Sequence, residues 1–140
     1  MSLTPGGGGG LAKAPVNATT PTTTTLTSGF SRTTLQTVSL TLLSAQIVRI
    51  TLTADLKYGA APGGVHPFIN VDGSDVGPGA SAGNFDWLVT QTAESQLFSV
   101  SIDVQLAVGA HTIKFDVLAA AAVNTATFFW NQLSVWFSNT

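Results

Sequence analysis

The sequence is 140 residues long, enough for one domain with a real hydrophobic core. Only 9% of residues are charged and the formal net charge is −2; the five basic residues (Lys13, Arg32, Arg49, Lys57 and Lys114) are scattered, which excludes the electrostatic footprint of a nucleic-acid binder. Cysteine is absent, which excludes disulfide and thiolate chemistry, and no apolar run approaches the ~20 residues of a membrane helix.

Residues 1–29 differ in composition from the rest. Gly6 to Gly10, then Pro15, Pro21 and the run Thr22 to Thr25, form a stretch without hydrophobic periodicity that cannot build its own core. It reads as a disordered tail or as an extended arm that orders when laid across a neighbouring subunit. Leu11, Val16 and Leu26 are its apolar anchors. No basic residue precedes an apolar stretch at the N-terminus, so the expectation is a protein made in the cytoplasm without a signal peptide. In that setting Asn17-Ala18-Thr19 is a sequon by form alone.

A β-domain is expected over 30–140. Val38, Leu40 and Leu42 alternate with polar neighbours, giving one strand. Val48, Ile50, Leu52, Ala54, Leu56 and Tyr58 do the same over a longer one. Gly59 to Gly64 reads as a loop, His66 to Val71 as a short strand, and Asp72-Gly73 as a hairpin turn. Gly77 to Gly83 is a second open loop and Phe85 to Thr90 a further strand. The clearest signal lies between Leu97 and Leu118. Phe98, Val100, Ile102, Val104 and Leu106 alternate with polar residues; after a break at Gly109, His111, Ile113, Phe115 and Val117 share a face. Two antiparallel strands paired as a hairpin is the simplest reading. Ala119 to Ala122 is too short for a helix of its own and reads as a connection. About seven or eight strands with Gly/Pro-rich loops predict an all-β fold: a two-sheet antiparallel sandwich, jelly-roll-like, with an extended N-terminal arm. The Cys…Trp…Cys pattern of an immunoglobulin domain is missing.

The last strand, Thr125 to Phe137, is apolar on both faces. Strict alternation puts Phe129, Leu133, Val135 and Phe137 on one side and Phe128, Trp130 and Trp136 on the other. One explanation is that both faces are covered inside the subunit, or that the aromatics sit under the 77–83 loop; the other, favoured in a chain so poor in charge, is an oligomer interface formed by Phe128, Trp130 and Trp136.

Leu106-Ala107-Val108-Gly109-Ala110-His111-Thr112-Ile113-Lys114-Phe115 resembles a strand pair of phage virion jelly rolls, and Leu133-Ser134-Val135-Trp136 resembles their closing strand. Such domains are similar in shape to the trimeric folds of tumour necrosis factor and C1q. Over residues 65–137 the resemblance implies a virion structural protein, either a capsid decoration or minor capsid protein or a small tail or fibre component. It implies a homotrimer whose partner is a major capsid protein or another virion protein, with the N-terminal arm adding to a neighbour's sheet edge.

Residues suited to catalysis are sparse, and the expectation is a protein that is not an enzyme and takes no cofactor. His66 and His111 both stand at strand starts, and His111 lies in the inward register, where a satisfied structural histidine is expected. No serine sits in a G-x-S-x-G elbow. Asp72-Gly73-Ser74-Asp75 lacks the further acids of a calcium loop, and Asp86 and Glu94 are too isolated for a glycosidase pair. The alternative to a virion protein is a carbohydrate-binding sandwich, with Trp87 as the residue to stack on a sugar.

Overall fold

The computed structural model describes residues 16–20, 24–26, 32–58, 63–77, 87–89, 95–119 and 126–138. Ten strands lie within them: β1 (Val16–Thr20), β2 (Thr24–Leu26), β3 (Thr33–Leu42), β4 (Gln46–Tyr58), β5 (Gly63–Val71), β6 (Ser74–Val76), β7 (Trp87–Val89), β8 (Gln96–Leu106), β9 (Gly109–Ala119) and β10 (Ala126–Trp136). They form two antiparallel sheets, here called A and B. Sheet A runs β1-β10-β4-β8 with β2 also on β10; sheet B runs β3-β9-β5-β6 with β7 also on β5.

β1 and β2 occupy the same edge of β10 in one direction, Val16 opposite Val135 and Leu26 opposite Ala126, so together they are one edge strand in two pieces. The sequence between the pieces contains Pro21, and a proline cannot donate to a ladder. β6 and β7 likewise share one edge of β5 at its two ends. Counting each broken edge as one strand leaves eight, ordered 1-8-3-6 in sheet A and 2-7-4-5 in sheet B. That is jelly-roll wiring.

Two sequence expectations are corrected here. Residues 16–20 and 24–26, expected in a disordered tail or in an arm laid across a neighbouring subunit, are the first strand of the jelly roll and pair within their own chain; Leu11 lies outside the described residues. The strands of the 97–118 stretch do not pair with each other as a hairpin. β8 pairs with β4 in sheet A, whereas β9 pairs with β3 and β5 in sheet B. Ala107 and Val108 carry the chain from one sheet to the other, and Gly109, at φ +124°, takes a backbone conformation that side chains disfavour. Alternation identifies a strand but not its neighbour, because it records which face is dry and says nothing of which strand lies along the edge. The expected hairpin turn at Asp72-Gly73 is present between β5 and β6, with positive φ at both residues (51° and 89°) as a two-residue type I′ loop requires.

The core lies between the sheets. Val48, Ile50, Leu52, Ala54 and Leu56 of β4 are fully buried against Ile113, Phe115 and Val117 of β9. Bulges at two places shift the alternation. In β10 the register against β4 slips between Phe128 and Trp130, and in β3 the register against β9 slips between Thr34 and Gln36. After these slips Asn131 and Gln36 both turn inward, and the Gln36 Nε2 donates to Asn131 Oδ1 at 2.6 Å across the sandwich. Asn131 Nδ2 finds no acceptor among the described residues.

Beside β8 the chain leaves β6 through Gly77, at φ +77°, and a Cβ added there would lie 2.7 Å from the Ile102 side chain. Gly77→Ala therefore combines backbone strain with overpacking. It is expected to destabilise the fold by about 1–3 kcal/mol, read as a lowered urea midpoint at unchanged slope.

Candidate functional site

The outer face of sheet A is the surface on which the sequence places most of its unexplained side chains. On β10 the bulge at Phe129 separates inward Ala126 and Phe128 from a second series in which Asn131, Leu133 and Val135 face in. Trp130, Gln132, Ser134 and Trp136 therefore face out. Of the three residues expected at an oligomer interface, Trp130 and Trp136 stand on this outer face, Trp136 with 40% of its surface exposed. Phe128 is a correction: it is fully buried in the core of its own chain, because the bulge reverses the parity that simple alternation assigned.

Between the two tryptophans, about 20 Å apart along the strand, the face is hydroxyl and amide, with Asp55 opposite Trp130 and Arg49 opposite Trp136. Thr51 and Ser101 share a hydrogen bond at 2.8 Å, and Thr53 and Ser99 at 3.2 Å, each across β4 and β8. Arg49 and Asp103, directly opposite on the same strands, form a two-pronged pair at 2.8 and 2.9 Å. This hydrogen-bonded pair raises the Arg49 pKa and lowers that of Asp103. Being solvent-exposed, the pair orients two side chains and adds little stability. Asn17 and Thr19 of β1 stand opposite Ser134 and Gln132, so the polar register extends to the edge of the sheet. A field of hydroxyls and amides framed by two indoles can make hydrogen bonds and stack on apolar or ring surfaces. Among the described residues it offers no acid, base or nucleophile with a matched partner.

The opposite outer face, on sheet B, is locked by one guanidinium. Arg32 lies over the Phe68 ring at 4.2 Å from its centroid. Its Nε donates to Asp116 Oδ2 at 2.8 Å, and its two terminal nitrogens donate to Asp75, Nη1 at 2.7 Å. Thr34 Oγ1 donates to the other Asp116 oxygen at 2.6 Å, and Asn70 Nδ2 to Asp75 Oδ1 at 2.9 Å. One side chain beside β3 thus ties together β9, β5 and β6. The bond to Asp75 raises the Arg32 pKa, and the same bond holds the Asp75 carboxyl below its ordinary range. No local motif announces this cluster, because its partners lie 43 and 84 residues apart in sequence.

His111 is the satisfied histidine that its position suggests. Its Nδ1 lies 2.7 Å from Asp72 Oδ2 and its Nε2 2.8 Å from the Ala107 carbonyl, while Asp72 Oδ1 accepts from the Thr112 amide at 2.8 Å. Both ring nitrogens face acceptors, so the doubly protonated imidazolium satisfies both contacts and neutral imidazole only one. The Asp72 bond raises the His111 pKa above 6.5; the Thr112 amide and then His111 lower that of Asp72 below 3.8. The His111 contribution is complete below its unfolded pKa and is lost as pH rises through the raised folded value. The Asp72 contribution is complete above its unfolded pKa and is lost as pH falls through the lowered one. Full strength therefore spans the interval between the two ordinary values, 3.8 and 6.5. The urea midpoint is expected to fall from pH 6.5 to pH 9, and His111→Gln to flatten that slope.

Both aspartates of the 72–75 turn are engaged by donors of the protein itself, as an ordinary turn requires. His66 stands opposite Leu118 in sheet B. Trp87 is placed by its backbone in β7 opposite Val65; its side chain, like Asp86 and Glu94, lies outside the described residues.

No protein-family model matches this sequence, and no curated protein matches it. Among solved structures, the chain is similar to one of infectious bursal disease virus Gt strain, with a TM-score of 0.58 and 11% identity over 90% of this chain and 34% of the viral one. The Gx strain gives a TM-score of 0.55 at 11% identity over 90% and 32%. A family 35 carbohydrate-binding module from an environmental isolate is 16% identical over 81% of this chain and 74% of the module, at a TM-score of 0.46. The chain spans about a third of the length of the viral chains. At these identities the likeness is one of fold. The chain is an all-β, two-sheet jelly-roll sandwich.

Proposed function

We propose that this chain is a structural virion protein of the capsid decoration or minor capsid type, which attaches to an assembled phage head and to itself. The observation that carries the reading is the outer face of sheet A, a field of hydroxyls and amides framed by Trp130 and Trp136, whose charges stand opposite the two indoles, Asp55 at Trp130 and the Arg49–Asp103 pair at Trp136. Such a face suits contact with another protein surface, where aromatic residues are enriched. Support comes from the jelly-roll wiring and from the likeness in fold to the viral structures. With residues 16–20 and 24–26 committed to the chain's own sheet, attachment runs through this face, with Leu11 and its neighbours as an accessory segment.

The test is where the protein goes. Immunogold electron microscopy on particles purified from cells that express the chain labels particle surfaces under this reading. Label confined to the soluble fraction overturns it. The double variant Trp130→Ala/Trp136→Ala is expected to fold but to leave the particles unlabelled. A sugar-binding reading draws on the same face, because an exposed indole beside Gln132 and Ser134 can stack on a pyranose ring while amide and hydroxyl bond its rim. In that case a glycan array gives a signal that Trp136→Ala removes.

A further inference from the structure

The four sheet edges of this sandwich are not equally protected. An open strand edge is a template for another chain, and proteins blunt such edges with breaks, bulges, prolines, lysines or short length. One edge of sheet A is β1/β2, in two short pieces. Sheet B ends on one side in β3, which carries the bulge at Leu35, and on the other in β6 and β7, of three residues each. β8 has none of these devices. It is eleven residues long, pairs with β4 in unbroken register, and contains no proline, glycine or lysine. Its single charge, Asp103, is held by Arg49. Among the described residues no strand occupies its second edge.

The inner side of β8 is also incompletely covered. Val100, Ile102 and Val104 point toward the core yet stay half-buried, whereas their neighbours Val48, Ile50 and Leu52 on β4 are fully buried. Among the described residues the corresponding edge of sheet B consists of two three-residue pieces, β6 and β7, with Gly77 past the end of β6 approaching Ile102.

We propose that two copies of this chain pair antiparallel along β8 about a two-fold axis at Ser101, joining their A sheets into one continuous sheet. Ser101 is the midpoint of β8, so this register uses the whole strand, with Gln96 opposite Leu106. It sets Val100 of each copy opposite Ile102 of the other, apolar against apolar, and Ser99 opposite Asp103, so that no like charges meet. Side chains keep their faces because directly opposed residues of an antiparallel pair share one. A contact of this kind is isologous and closes at two copies. It uses an edge rather than the outer face of sheet A and stands independently of the virion reading.

The chain has no cysteine, so single-cysteine variants of the full chain report the contact directly. Residues facing themselves across the axis are within disulfide reach. Light scattering is expected to give twice the chain mass of 14.4 kDa. Under mild oxidation Ser101→Cys is expected to form a covalent dimer, and Ser134→Cys, at the middle of the outer face of β10, at least ~10-fold less of it. Ser101→Lys places two ammonium groups face to face; it is expected to weaken association at least ~10-fold with an unchanged far-ultraviolet spectrum. A monomer at about 100 μM, a trimer, or cross-linking of the Ser134→Cys variant but not of the Ser101→Cys variant would each overturn the pairing. Should Ser101→Lys fail to fold, the oxidised Ser101→Cys variant decides alone.

Discussion

Removal of residues 1–29 is expected to abolish cooperative unfolding, while removal of residues 1–15 leaves the thermal midpoint within a few degrees of the intact chain. The difference lies in β1 and β2. Val16, Ala18 and Leu26 stand opposite Val135, Leu133 and Ala126, three fully buried positions of β10. Without that edge strand the β10 ladder loses its partners on one side, and buried backbone groups left unpaired each cost about 1–3 kcal/mol. Spread over the register pairs that β10 makes with both β1 and β2, such losses approach the whole stability of a domain, about 5–15 kcal/mol. Circular dichroism melts of the two truncations give the answer. A cooperative transition near the native midpoint after loss of 1–29 would show that the segment is dispensable to the sandwich, as a free-standing arm would be.

Phe128→Ala is expected to cost about 3–5 kcal/mol and to lower the thermal midpoint by about 10 °C or more. Phe128 is fully buried, and its removal leaves a cavity between the sheets that rigid β4 and β10 cannot close. Trp136→Ala, further along the same strand, removes a larger side chain and is expected to change stability by no more than about 1 kcal/mol, since that ring stands outside the core. The contrast tests the bulge at Phe129. Were β10 to alternate without interruption, Phe128 and Trp136 would share a face and the two substitutions would behave alike.

The comparison between these two residues also marks how far the sequence could be read. Alternation over 97–106, 111–117 and 48–56 is strong because each strand has one dry and one wet face, and that fact is written into every second residue. The same logic fails in β10, where one inserted residue changes parity, and bulges leave no local composition signal of their own. It also mispairs β8 with β9, since a short link between two alternating strands serves a hairpin within a sheet or a crossing between sheets equally well. Residues 16–26 carry little periodicity, being mostly threonine and small residues, and are legible as a composition rather than as a strand. Asp72-Gly73 is legible because the turn type demands positive φ at both positions.

For the candidate site, Trp130 and Trp136 are legible as unexplained aromatics in a chain poor in charge. The Arg32–Asp75–Asp116 lock and the half-covered inner side of β8 are not. Each depends on which strands become neighbours across long stretches of chain, and the broken β6/β7 edge comes to lie opposite β8 only once the sheets are stacked. By itself, then, the sequence determined an all-β sandwich, its strand cores and its tight turn, because these follow from local patterns of polarity and backbone freedom. Strand order, the parity of β10, the place of β1 and β2 and the open edge of β8 were decided by tertiary structure alone, because they arise from pairing energies between segments that no local window contains.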